Sequence, residues 1–160
     1  MKLTKDQLFD QLKAEILNEL SYKSSVEKSL ASICKILQTN VPHYDWVGFY
    51  FSNNQEKMLY LKAFSGEPTE HTAIPFGKGI CGQVAVSNQD FLVPDVNAQD
   101  NYIACSIAVK SEIVVPLFKN NKNIGQIDID SHTANAFDES DRLFLHWVNQ
   151  EVAKILPDTL

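Results

Sequence analysis

The sequence predicts an α+β domain in which a central, mostly antiparallel sheet carries N- and C-terminal helices on one face and a ligand pocket with loops on the other. Two amphipathic helical segments open the chain and a third closes it, with two hairpins and a glycine-rich loop between them. This segregation of helices and hairpins favours helices packed on one face of a sheet. The 160 residues fit one domain, with the N-terminal helices in 1–40 and the sheet, pocket and C-terminal helix in 41–157.

The terminal segments have the apolar spacing of amphipathic helices. Residues 5–20 carry leucine or isoleucine at every fourth position, which predicts a helix with one buried stripe. Ser24 and Glu27 have the spacing of a capping box and predict the start of the second helix. Cys34 falls on the apolar stripe of that helix, so we expect a buried, inert core residue. Asp138 is expected to cap the C-terminal helix.

The first hairpin joins two strand-like segments, 46–51 and 58–64, and is rich in aromatic residues. Alternation places Trp46, Gly48 and Tyr50 on one face of the first strand. The glycine suggests that another group approaches the backbone closely there. One face of this strand is expected to be core. The two aromatic rings then either pack as further core or form a wall of a pocket.

The second hairpin, 112–119 with 122–130, carries three acidic residues inside otherwise apolar segments: Glu112, Asp128 and Asp130. An ionised carboxylate is costly to bury unless something pairs with it. From spacing alone, the simpler interpretation is that Asp128 and Asp130 lie on a solvated face, because they alternate with isoleucines. The alternative is a site in which a bound ligand completes the pairing.

Two of the three cysteines, Cys81 and Cys105, lie in the same stretch as the acids. A short helix from Gly82 to Ser87 places Cys81 near its N-terminus, where the helix dipole favours a thiolate. The histidines share no metal-ligand spacing with one another or with the cysteines. We therefore assign no metal ligand and no cofactor.

Composition excludes several classes of protein. A net charge of -6 argues against binding to nucleic acid, which calls for a basic face. No apolar run approaches the roughly 20 residues that span a bilayer. The N-terminal residues carry acids and glutamine where a signal peptide needs an apolar core, so we expect a cytoplasmic protein. Three cysteines are too few for a disulfide scaffold and are expected to be either buried or redox-active.

Six short motifs together resemble the GAF-domain free methionine-(R)-sulfoxide reductases. They are WVGFY (46–50), IPFGKGICG (74–82), DV (95–96), IAC (103–105), SEIV (111–114) and IDIDS (127–131). The likeness extends from about residue 40 to 155, and ordinary GAF domains lack this combination. The resemblance implies a GAF-like fold and reduction of free L-methionine (R)-S-oxide to L-methionine.

The resemblance also implies how the cysteines act. Cys105 matches the catalytic cysteine, which attacks the sulfoxide sulfur, releases methionine and becomes a sulfenic acid. Cys81 is the resolving thiol that forms a disulfide with Cys105, which thioredoxin then reduces. Ten residues before Cys81, where the family commonly has its first resolving cysteine, this chain has His71.

The remaining site residues follow from the same likeness. Glu112, Asp128 and Asp130 match acids that hold the substrate ammonium and hydrogen-bond the sulfoxide oxygen. Trp46 and Tyr50 match aromatic residues that wall the methyl end of the substrate. The family further implies that the terminal helices are available to form a homodimer. The competing hypothesis is a non-catalytic GAF sensor that binds a small amino-acid-like ligand in the same pocket.

Overall fold

A computed structural model describes residues 2–22, 24–99 and 108–158. Helices occupy both ends of this part of the chain and strands occupy most of the middle, as the sequence predicts. The elements are α1 (Lys5–Ser21), α2 (Val26–Asn40), β1 (Trp46–Asn53), β2 (Met58–Ser65), β3 (Ala73–Pro75), α3 (Gly79–Ser87), β4 (Phe91–Val93), a 3-10 turn (Val96–Ala98), β5 (Ser111–Lys119), β6 (Lys122–Ser131) and α4 (Glu139–Ile155).

The N-terminal caps of two helices can be compared with the capping residues predicted from the sequence. Asp138 caps α4, as predicted, and its side chain accepts hydrogen bonds from two backbone N–H groups of the first turn. The start of α2 differs by one residue from the prediction. Ser25, not Ser24, accepts from the backbone N–H of Lys28, while the Ser24 hydroxyl lies 3.1 Å from the hydroxyl of Ser29. The Ser24 hydroxyl thus contacts a side chain of the first turn and not a backbone N–H, and its neighbour Ser25 takes the capping position.

The strands form one sheet in the order β3-β2-β1-β6-β5-β4, and every neighbouring pair is antiparallel. The predicted mostly antiparallel sheet and the α+β class are therefore confirmed. β1 and β6 lie side by side at the centre although most of the sheet separates them in sequence. Their pairing places the aromatic strand against the acidic strand.

The two faces of the sheet have different contents. One face packs on α1, α2 and α4 through the side chains of alternate strand residues, and Cys34 lies fully buried within this core. Its strand residues are Val47, Phe49, Phe51, Ala63, Ile113, Val115, Leu117, Ile127 and Ile129. A second, smaller apolar cluster lies on the other face and contains Trp46 and Tyr50 together with residues of β3 and α3. The predicted assignment of helices to one face and a pocket to the other is confirmed.

A buried carboxylate ties the helix layer to the start of the sheet. Asp141, in the first turn of α4, accepts a hydrogen bond of 2.8 Å from the Tyr44 hydroxyl and lies 2.8 Å from His43 Nε2. It also pairs with the ammonium of Lys5 in α1. Burial opposes ionisation, but these hydrogen bonds lower the pKa of Asp141 to about 2. Across the described residues, every helix is too short or too polar to span a membrane.

Candidate functional site

The acidic side chains of β6 point away from the helix layer and are enclosed. Asp128 is 2% exposed, Asp130 is 1% exposed and Gln126, on the same face, is fully buried. The simpler interpretation from sequence, that these aspartates lie on a solvated face, is therefore wrong. Alternation predicted correctly that they share a face, but it could not show that α3 and its neighbouring segments cover that face.

Strand register brings the predicted binding residues into adjacent rows. Asp130 lies opposite Trp46 of β1 on one side and opposite Glu112 of β5 on the other. In the next row, Asp128 lies opposite Gly48. Directly opposite residues have Cβ atoms about 4.5–5.5 Å apart and share a face. The two aspartates thus meet residues of β1 that lie 80 or more positions earlier in the chain, on the pocket side of the sheet.

The Trp46 ring lies flat over its own strand at Gly48. A Cβ atom built at position 48 would come within 2.3 Å of the outer ring carbons of Trp46. Two contacts hold the ring in place. Its Nε1 donates a 3.0 Å hydrogen bond to the Glu67 carbonyl, and it stacks on the Phe64 ring with the ring centroids 5.8 Å apart. The close approach that the glycine suggested is therefore confirmed, and the approaching group is an indole.

Tyr50 continues the aromatic face toward the loop before β3. Its ring centroid lies 6.4 Å from that of Trp46, and its hydroxyl donates a 2.8 Å hydrogen bond to the backbone carbonyl of His71. The side chain of Tyr50 is completely buried. This bond fixes the segment around His71 next to the acids, and His71 itself lines the pocket.

Helix α3 places the thiol of Cys81 in contact with the acidic strand β6. The backbone at Gly79 has a φ of +66°, which glycine adopts readily and which turns the chain into the helix. Cys81, in the first turn, donates a hydrogen bond of 3.3 Å from Sγ to Asp128 Oδ2. Gln126 Nε2 donates a 3.1 Å bond to the Cys81 carbonyl. Thiol and backbone of this residue are therefore both anchored on β6.

The environment of Cys81 keeps it a thiol. Burial raises its pKa well above the usual range, and the negative charges of Asp128 and Glu112 raise it further. The sequence predicted the opposite, a thiolate favoured by the helix N-terminus. That prediction fails because removal from water and two nearby carboxylates outweigh the helix dipole.

The pKa of the Asp128 carboxyl group is also raised. Burial raises its pKa, while hydrogen bonds with Glu112 and Cys81 work in the opposite direction. Two neighbouring carboxyl groups in a low-dielectric site favour the state in which one of them holds a proton. Asp128 and Glu112 can therefore supply both a proton donor and a negative charge to a bound ligand.

These side chains surround one small cavity between α3 and the sheet. It is lined by Tyr50, His71, Ile74, Lys78, Gly79, Ile80, Cys81, Glu112 and Asp128. The space between them is about 10 Å³, which holds about one water-sized particle. A ligand the size of an amino acid requires side chains or adjacent segments to move apart.

Of the site residues predicted from sequence, the structure brings four onto this cavity: Tyr50, Cys81, Glu112 and Asp128. Trp46 and Asp130 lie one row further along the sheet, facing each other. Cys105, the predicted nucleophile, lies outside the described residues. Lys78 also lines the cavity and was not predicted from the sequence, although its place within the glycine-rich loop was a usable signal. No role was predicted for Gln126.

Comparison with known proteins shows which family this chain is related to. The sequence profile of the GAF domain matches residues 23–156. The free methionine-R-sulfoxide reductase of Saccharomyces cerevisiae is 34% identical over 158 residues, covering 90% of this chain and 85% of its own. The enzyme of the same name from Escherichia coli is 31% identical over 157 residues, covering 98% of this chain and 93% of its own.

A solved structure extends the comparison to three dimensions. The free methionine-R-sulfoxide reductase of Neisseria meningitidis, solved in complex with its substrate, superposes with a TM-score of 0.90 at 34% identity. The match covers 96% of this chain and 91% of that one.

Proposed function

Because this chain belongs to the GAF-domain free methionine-R-sulfoxide reductase family, we propose that it reduces free L-methionine (R)-S-oxide to L-methionine. The observation that carries the proposal is the convergence of Cys81, Glu112 and Asp128 on one enclosed cavity beside Tyr50. A polar sulfoxide and an ammonium group need acidic partners in a pocket that excludes water, and the methyl end needs an aromatic wall.

The chemistry begins at Cys105. Its thiol attacks the sulfoxide sulfur and forms a bond between the two sulfurs, and the sulfoxide oxygen is protonated. The oxygen then passes from the substrate sulfur to the cysteine sulfur as a sulfenic acid, and the bond between the two sulfurs breaks to release methionine. The thiol supplies the two electrons that reduce the sulfoxide. The departing oxygen must gain a proton, and the Glu112 and Asp128 pair suits this role because burial favours a protonated carboxyl group there.

Substrate recognition follows from the two rows of the sheet. The ammonium group of methionine sulfoxide binds the carboxylates of Asp130 and Asp128, and Glu112 takes part from β5. The methyl end lies against Trp46 and Tyr50, whose rings adjoin. Charge-assisted hydrogen bonds of this kind are about twice as strong as neutral ones, so they select a free amino acid over an uncharged thioether oxide.

Recycling of the sulfenic acid belongs to the same proposal. Cys81 attacks Cys105, water leaves and a disulfide forms; thioredoxin then reduces it in the cytoplasm. Cys81 supports this role because it lies in the pocket, whereas the other described cysteine, Cys34, is buried in the helix-side core. We extend the proposal to a homodimer formed through the terminal helices, to be tested by light scattering.

The competing hypothesis, a non-catalytic GAF sensor, is not favoured. The Saccharomyces cerevisiae and Escherichia coli relatives, 34% and 31% identical to this chain, are both named reductases. A sensor would also need no thiol next to the acids. Binding of methionine sulfoxide without turnover is the result that would restore it.

The test is methionine formation from free L-methionine (R)-S-oxide with dithiothreitol as the reductant. We expect turnover with the (R) epimer and little with the (S) epimer, measured by chromatography of the product amino acid. Peptide-bound methionine sulfoxide should be a poor substrate, since it lacks the ammonium group that the acids bind. Absence of methionine from a folded, reduced protein would overturn the proposal.

A further inference from the structure

Three different elements contribute a potential metal-binding atom to the cavity. The Sγ of Cys81 in α3, a carboxylate oxygen of Glu112 in β5 and one of Asp128 in β6 all lie within 4.8 Å of one another. All three residues are buried. Spacing among histidines and cysteines in the sequence does not reveal this set, because its members become neighbours only in the folded sheet.

A second observation points to a ligand at the same place. Asp128 Oδ1 is enclosed and has no hydrogen-bond partner within residues 2–22, 24–99 and 108–158. A buried acceptor without a partner is costly, because it has given up its hydrogen bonds to water. The carboxyl group lines the cavity, so a cation in that space would satisfy this oxygen.

The geometry of the cluster is close to that of a zinc site. Ligands about 2.0–2.3 Å from a tetrahedral Zn²⁺ lie roughly 3.5 Å from one another. The Cys81 Sγ and Asp128 Oδ2 are already 3.3 Å apart, and Gln126 holds the Cys81 backbone in place. The cavity of about 10 Å³ accepts one ion without the rearrangement that an amino acid requires.

We propose that Cys81, Glu112 and Asp128 bind a thiophilic divalent cation of the Zn²⁺ type, with a fourth position left open to the cavity. Zn²⁺ replaces the proton that the Cys81 thiol shares with Asp128, and this proton is released to solvent. The two-carboxylate, one-thiolate set favours Zn²⁺ over Mg²⁺ and Ca²⁺, which prefer oxygen ligands alone.

Occupancy by the ion has a consequence that rests on the proposed function. The same acids hold the substrate and the same thiol resolves the sulfenic acid. Zn²⁺ and methionine sulfoxide therefore exclude each other. Zn²⁺ is expected to act as a competitive inhibitor that raises KM without lowering kcat, and to slow the alkylation of Cys81.

The experiment titrates the metal-free, reduced protein with Zn²⁺ by calorimetry and with Co²⁺ by absorption. We expect one ion per chain and a near-ultraviolet thiolate-to-cobalt band. Cys81→Ser should abolish the band. Asp128→Asn should weaken Zn²⁺ binding by at least tenfold, since loss of even an outer-shell partner costs that much. Cys34→Ser and Cys105→Ser, as matched thiol controls, should keep the band, and Mg²⁺ at equal concentration should not bind.

Each remaining outcome decides one of the two proposals. Absence of stoichiometric Zn²⁺ binding, or a cobalt band that survives Cys81→Ser but not Cys105→Ser, overturns the metal site. Normal reductase activity in the same preparation would then leave the proposed function intact. Conversely, a protein that binds Zn²⁺ through Cys81 but forms no methionine keeps the metal site and loses the reductase function.

Discussion

The Cys81 thiol donates a hydrogen bond to Asp128 Oδ2 across 3.3 Å, and this contact joins the first turn of α3 to the centre of β6. It places the proposed resolving thiol and a proposed substrate acid within direct contact. The pKa of Cys81 is raised by burial and by its acidic neighbours, so little thiolate is present at neutral pH.

The raised pKa predicts how the resolving step responds to pH. A thiol attacks as its thiolate, whose fraction rises tenfold per pH unit below the pKa. Formation of the Cys81–Cys105 disulfide should therefore accelerate steadily from pH 7 to 9, whereas the rate for an ordinary thiol levels off above its pKa of about 8.5. Quenched-flow alkylation and peptide mass mapping measure it. A rate independent of pH would contradict a resolving role for this thiol.

Replacement of the resolving thiol separates one turnover from cycling. Cys81→Ser should retain a single burst of methionine, because Cys105 still attacks the sulfoxide, but lose thioredoxin-driven turnover. Dithiothreitol should restore cycling by attacking the sulfenic acid directly. Comparison of the burst amplitude with the steady-state rate decides this. Normal cycling with thioredoxin would make Cys81 a structural residue.

The two other cysteines should behave in opposite ways. Cys105→Ser is expected to abolish methionine formation, since serine does not form the sulfenic acid. Cys34→Ser should leave kcat/KM nearly unchanged, because Cys34 is fully buried in the helix-side core, where burial raises its pKa and keeps it unreactive. Steady-state assays of both variants test this, and equal losses would refute the assignment.

Asp130→Asn tests whether the buried acids grip the substrate. Loss of a charge-assisted hydrogen bond costs about 1.5–3 kcal/mol, which is a reduction in kcat/KM of roughly ten- to a hundredfold. The variant should stay folded, because asparagine has nearly the same size and shape as aspartate, and the thermal midpoint checks this. Asp10→Asn, at an exposed position in α1, is the matched control. Unchanged kinetics would remove Asp130 from the binding site.

The packing of Trp46 over Gly48 predicts a steric effect that depends on the ring. Gly48→Ala should destabilise the fold by about 1–3 kcal/mol and raise KM, because the new methyl group displaces the indole. In a Trp46→Ala background the same substitution should cost much less. Denaturant unfolding of the double-mutant cycle measures the coupling. Additive costs would show that the ring does not lie against position 48.

Asp141 should stabilise the protein except in strong acid. Its pKa is about 2 in the folded state against 3.8 for the free group, so its contribution is fully present above pH 4. That contribution, about 2 kcal/mol, is lost as pH falls from about 4 through 2. Asp141→Asn should lower stability at pH 7 and flatten its dependence below pH 4. Urea titrations at several pH values, with Asp10→Asn as the control, decide this.

β3 was not predicted from the sequence, but most of the secondary structure and the division of each hairpin strand into two faces were. Both depend on local periodicity and capping, as the boundaries of α1, the hairpins and the Asp138 cap show. Cys34 could be assigned to the core from sequence because it lies on the apolar stripe of a single amphipathic helix. The motif at Asp128 and Asp130 also pointed to the reductase family, which the comparisons confirmed.

Only the tertiary structure decided the environment of each site residue. Burial of Asp128 depends on α3 covering the sheet, and the raised pKa of Cys81 depends on Glu112 and Asp128, which approach it from two other elements. Neither spacing nor helix polarity encodes such distances. Electrostatic energies depend on separation in space and on exclusion of water, and both are set by strand register and packing between elements distant in sequence.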